Sequence, residues 1–108
     1  MKHYTTPVLE VTLDIPVETV ASIKFLFKEE RDPKSRTLLM KEYPGDVRCE
    51  DGVYKVPITQ AETSLIPGDK YFYMDTLVKD QTGRIPKTPI ISLFMSESLF
   101  TYEEAVEE

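Results

Sequence analysis

The chain alternates between apolar and polar positions for most of its length. In "VLEVTL", Leu9, Val11 and Leu13 fall on one side of an extended segment, with Glu10 and Thr12 on the other. That period of two is what a half-buried strand requires. Pro7 and Pro16 bracket the run, where a residue without an N–H does not interrupt a ladder. "ASIKFLFKEE" repeats the pattern, with Ile23, Phe25 and Phe27 inward and Ser22, Lys24 and Lys28 outward. Leu26 breaks the outward polar row and calls for a covering neighbour. The polar turn "RDPKSR", Arg31 to Arg36, leads into a shorter strand, "TLLMKEY". "EDGVYKVPI" opens on an Asp-Gly turn and sets Tyr54, Val56 and Ile58 against Val53, Lys55 and Pro57. Last come "KYFYMDTLVKD" and "TPIISLFMSESLF", two long strands that are apolar on both faces.

One stretch reads as helical. In "TQAE", Thr59 is spaced to accept from the amide of Glu62 while the Glu62 carboxylate reaches back to Thr59, a capping box. Pro67-Gly68 ends this turn, and "VETVAS" near Val17 suits one more. Six to seven short strands, each closed by a turn signal, predict an all-β fold. The expected form is an antiparallel β-sandwich with Greek-key connections, one domain over 1–108, with a helical crossover at about 59–65. Thr59, Glu62, Pro67 and Gly68 then form a structural corner between the sheets. Tyr71 follows where such a corner is often anchored by a phenolic hydroxyl bonded to nearby backbone.

A sandwich strand is wet on its outer side, so an apolar outer face needs a cover. Phe72, Met74, Ile90 and Phe94 are the residues in question. Either a loop or the C-terminal segment folds over them, or they form an interface with another molecule.

Composition narrows the function classes. The 108 residues are 41% hydrophobic and 30% charged, the balance of a globular domain. Nineteen acidic residues oppose 13 basic ones for a net charge of −6, which argues against nucleic acid as a partner. The acidic end, about 101–108, is expected to be a flexible tail. Cys49 and His3 are the only residues of their kinds, so neither a disulfide nor a zinc site is assigned. Gly45, Gly52, Gly68 and Gly83 stand in separate turns rather than in a phosphate loop. The acids Asp46, Glu50 and Asp51, and likewise Glu29, Glu30 and Asp32, lack the spacing of a calcium loop. Asp75 interrupts an apolar strand and is expected at an edge or in water. No serine lies in an elbow motif. Hence no catalytic residue, cofactor or metal is assigned, and an enzyme is not expected. The start, "MKHYTTPVLEVTLDIP", lacks the apolar core of a secretory leader, and no run is long enough to span a membrane. Tyr54, Phe72 and Tyr73 would suit stacking on sugars, so the alternative to a protein-contact role is a glycan- or cell-surface-binding module.

The order of these segments resembles the small immunoglobulin-like β-sandwich proteins encoded in structural gene clusters of phages and prophages of Gram-positive gut bacteria (Firmicutes). The hallmark segment stands here as Ile58-Thr59-Gln60-Ala61-Glu62-Thr63, with Ile in place of the usual Leu. The D-x-x-G hairpin is Asp80-Gln81-Thr82-Gly83, and the closing "SES" with Leu99 also fits. The resemblance covers nearly the whole chain and carries no catalytic residues. It implies a noncatalytic structural or tail-associated accessory protein that contacts other phage structural proteins or itself. It would be made in the bacterial cytoplasm and associated with the virion. The aromatic-rich "YFYMD" and the long acidic end depart from the pattern and bear on the choice of partner.

Overall fold

A computed structural model describes residues 1–106. The strands are β1 (Val8–Val11), β2 (Val20–Lys28), β3 (Thr37–Tyr43), β4 (Arg48–Glu50), β5 (Val53–Pro57), β6 (Lys70–Asp80) and β7 (Ile91–Met95). Two short helices, α1 (Gln60–Leu65) and α2 (Tyr102–Val106), and a 3-10 turn at Val17–Thr19 complete the described chain. All strand pairs are antiparallel, in a three-stranded sheet β1-β5-β4 and a four-stranded sheet β3-β2-β6-β7. With β1 taken as strand B of an immunoglobulin domain, the sheets read B-E-D and C′-C-F-G. This is the immunoglobulin order without its first strand.

The register follows from burial. On β6, Phe72, Met74, Thr76 and Val78 are buried while Tyr71, Asp75, Leu77 and Lys79 are exposed. On β2, Ile23, Phe25 and Phe27 are fully buried. Opposite them the three-stranded sheet contributes Val11, Tyr54 and Val56. Phe25 and Tyr54 meet across the sandwich with ring centroids 6.3 Å apart, and Tyr43 packs edge-on to Tyr54 at 5.2 Å. The Tyr54 hydroxyl, sealed from water, has no nitrogen or oxygen partner among the described residues; the sulfur of Cys49, its cross-strand neighbour, is its polar company. Burial, with Cys49 and Tyr43 beside it, pushes the Tyr54 pKa up to about 12, so the ring stays neutral.

Turns hold the strands where local chemistry allows. Asp51 and Gly52 both have positive φ, 50° and 78°, the two-residue geometry that matches strand twist between β4 and β5. Asp80 Oδ1 accepts from Thr82 N, Thr82 Oγ1 and Arg84 N at 2.7 to 2.9 Å, while Gly83 takes φ 87°. The D-x-x-G signature is therefore an aspartate-capped turn.

Two elements differ from expectation. The last strand is only five residues: Pro89 has no N–H for a ladder on one side, and on the other Met95 already pairs with Lys70, the first residue of β6. Thr88 Oγ1 instead pins the preceding segment to Thr76, at 2.8 Å from its carbonyl and 2.7 Å from its hydroxyl. The acidic end carries α2 rather than a fully loose tail; Glu107 and Glu108 lie outside the described residues.

The paired faces of β2 make a direct test. Phe25→Ala should lower unfolding free energy by about 3–5 kcal/mol, whereas Lys24→Ala should stay within about 0.5 kcal/mol. Urea unfolding of both variants measures this; comparable losses would mean the register is wrong.

Candidate functional site

The stretch from Thr59 to Tyr71 joins the two sheets. Thr59 caps α1: its hydroxyl accepts from Glu62 N at 3.1 Å and Glu62 Oε1 accepts from Thr59 N at 2.9 Å. The same carboxylate oxygen accepts from Lys41 Nζ at 2.8 Å, tying the helix to β3 on the other sheet. Thr63 is fully buried; its hydroxyl donates to Gln60 O and accepts from Tyr4 N. Ile66 is buried beside it, and its carbonyl faces His3 Nε2, which must carry the proton in that contact.

Pro67 and Gly68 lie where the chain reverses, for a different reason than a glycine φ. The left-handed residue is Asp69, at φ 52°, while Gly68 is small because a Cβ there would overlap Glu97 Cγ and His3 Cε1. Tyr71 is not the anchor expected of it. It is 61% exposed, and its ring packs edge-on to Phe94 at 5.1 Å on the outer face. Thr63, Ile66 and the Lys41–Glu62 pair hold the corner in its place.

Burial by itself would raise the Glu62 pKa. The Lys41 hydrogen bond, the Thr59 amide, the Lys41 charge and the Thr59 hydroxyl together outweigh it and hold the carboxyl below its ordinary value. This corner is a joint, with Thr59, Gln60, Glu62 and Thr63 all committed to the fold.

The first and last segments pack on the same joint. Met1 N donates to Phe94 O at 3.1 Å, Ser96 N to Met1 O at 2.8 Å and His3 N to Ser96 O at 2.9 Å, covering part of the β7 edge. Gln60 Nε2 donates to Tyr4 O and to Ala105 O, and Tyr4 meets Tyr102 at 5.6 Å. Thr101 and Glu104 form a second capping box at the start of α2. The sequence carries that T-x-x-E signal, unread because the acids around it resemble a tail.

The outer face of the four-stranded sheet is where side chains remain uncommitted. Of the four candidate interface residues, Ile90 and Phe94 are on it, 41% and 39% exposed. Phe72 and Met74 are not; both lie in the core at 2% exposure or less. The parity of β6 was legible: Asp75 and Lys79 share the odd-numbered face, so the even-numbered one must be buried. Tyr54 and Phe72 are likewise core residues, so of the three aromatics considered for glycan stacking only Tyr73 faces outward. Exposed Met40 and Leu77 extend the apolar surface, and Leu26 lies between Met40 and Asp75 in the register.

At the β2–β3 end this face dips into a cavity of about 230 Å³. Leu26, Tyr73 and Ile90 line it, with Asp75 on the sheet and Glu30, Arg31, Asp32 and Pro33 in the overhanging loop. Lys28 Nζ braces the loop by donating to Pro33 O and Ser35 O, both at 3.0 Å. Arg31 lays its guanidinium 5.7 Å from the Tyr73 ring centroid. Leu26 is thus half-buried at the floor of this cavity, beneath the loop.

No protein-family model matches this chain, and no curated protein or solved structure matches it either. Among the described residues, no helix is long and apolar enough to cross a membrane.

Two outcomes check the joint. Thr59→Ala should cost about 1 kcal/mol through loss of the cap. For Glu62, the folded pKa lies below the unfolded one, so charge stabilises the fold above pH 4.5, its ordinary value, and that contribution is lost as pH falls through the lowered folded value. Glu62→Gln should therefore be less stable than wild type by about 1 kcal/mol at pH 7, with the difference shrinking as pH falls through the lowered folded value. Denaturant melts across pH measure this, and a pH-independent difference would remove the ionic account.

Proposed function

We propose that the protein is a noncatalytic contact module, a structural or tail-associated accessory of a phage or prophage of Gram-positive gut bacteria. On this reading the outer face of the four-stranded sheet is its working surface. The observation that carries the contact role is the set of large apolar side chains on that face. Met40, Tyr71, Leu77, Ile90 and Phe94 are all exposed, and the strands that carry them, or in the case of Ile90 the strand it leads into, are already fixed by pairing and core packing. An outer face needed only for solubility would be polar, and large exposed apolar side chains on one sheet face usually mark a contact. The phage setting rests on the resemblance in the Ile58–Thr63 and Asp80–Gly83 segments. Both segments act in folding, as the α1 cap and an aspartate turn.

The test is association. Size-exclusion chromatography with light scattering should show self-association at high concentration, or a complex with the product of a neighbouring structural gene. Phe94→Glu with Leu77→Glu should weaken it by about tenfold or more, about 1.4 kcal/mol. A strict monomer that binds no neighbouring product, or a variant that associates as well as wild type, would remove this reading.

A further inference from the structure

We infer that the cavity beneath the β2–β3 loop takes the arginine side chain of a partner protein. The inference rests on the reading of this sheet face as a contact surface and supplies the chemistry of what docks there. Three observations converge. The cavity has an apolar and aromatic lining, from Leu26, Ile90 and Tyr73, that suits a hydrocarbon stem and a planar head. Its charged lining holds two cations, Lys28 and Arg31, and three carboxylates, Glu30, Asp32 and Asp75, a formal balance of −1 that one incoming cation neutralises. Among the described residues, none of those three carboxylates is in a salt bridge, whereas the Lys28 ammonium is committed to two loop carbonyls.

The occupant's character is visible in Arg31. Its guanidinium already lies over Tyr73 within cation–π range, so that face accepts this group. Arg31 is exposed and has no carboxylate partner among the described residues, so it is a weakly held occupant that a better-placed guanidinium displaces. Asp75 supplies what Arg31 lacks. One of its oxygens accepts from Thr76 N at 2.9 Å, and the other is open to an N–H donor of an incoming guanidinium. A lysine would satisfy the charge but not the planar stacking, and a neutral side chain would satisfy neither. The chain's overall charge of −6 favours approach of a basic partner.

The experiment uses the full ¹⁵N-labelled chain and Nα-acetyl-arginine amide as the probe. A saturable titration is expected, with Kd on the order of 1 mM and shifts centred on the amides of Leu26, Tyr73, Asp75 and Ile90. The citrulline amide, the same shape without the charge, should bind at least about tenfold more weakly, and the lysine amide about threefold more weakly. Asp75→Asn should weaken the arginine probe by about fivefold, and Arg31→Ala, by vacating Tyr73 and removing a like charge, should tighten it by about threefold. The same spectra report whether each variant is folded. Equal binding of citrulline, an unchanged Asp75→Asn titration, weaker binding by Arg31→Ala, or shifts spread to Glu10 and Glu50 on the other sheet would each overturn the inference. A partner complex that survives Asp75→Asn undiminished, with no arginine titration, overturns the arginine site and leaves the contact face standing. Specific arginine titration in a chain that binds neither itself nor any neighbouring product does the reverse.

Discussion

Everything outside the core of this sandwich depends on how β2 pairs with β6. The two run antiparallel through the middle of the four-stranded sheet, with Phe25 opposite Thr76 and Phe27 opposite Met74. Because side chains alternate with a period of two, a slip of one residue would turn Phe72 and Met74 out and Asp75 in. The penalty is severe in both directions: two large apolar groups would meet water and a carboxylate would enter a dry core without a partner. That asymmetry fixes the register, and the register in turn places β3 and β7. The outer face, with Leu26 beside Asp75 and Tyr71 opposite Phe94, is what the same alternation leaves over.

The second requirement is to close the ends of a thin sandwich. The principal extents are 47 × 31 × 17 Å, so few residues lie far from an edge. At the β5–β6 end the solution is polar and local. Thr59 and Glu62 satisfy each other, and Lys41 reaches from β3 to the same carboxylate. Thr63 and Ile66 then seat the N-terminal segment, whose residues run along the β7 edge. This explains why a residue as small as Gly68 is needed: the side chains of His3 and Glu97 occupy the space a Cβ would take.

How much of this the sequence disclosed follows from the range of the interactions. Local signals were readable. The capping box at Thr59, the Asp51-Gly52 turn and the alternation in "ASIKFLFKEE" depend on residues a few positions apart, and each appears where expected. β4 was not legible, because three residues with Arg48 and Glu50 at its ends carry no apolar pattern of their own. Its existence comes from β5, which supplies the template. Tyr71 misled for a related reason. Its position at the start of β6 suits a tyrosine corner, but the choice between the two faces is set by the charged residues at 75 and 79 further along the strand. The cavity was beyond sequence reasoning altogether, since Arg31 and Tyr73 come together only through the folding of a loop over a sheet.

The division of labour within each strand bears on where function can reside in so small a domain. A sandwich of this size has one core, and the inner face of every strand is taken up by it. Polar groups at the corner are taken up by each other, and the Asp80 carboxylate is taken up by its own turn. What remains is the outer surface, where most substitutions cost little stability because the side chains lie outside the core. Large apolar side chains kept at such positions contribute little to folding and raise the risk of misassociation. On the proposed reading, the rigid sheet would hold these groups in place for a partner, and the loop braced by Lys28 would shape what enters beside the Tyr73 ring.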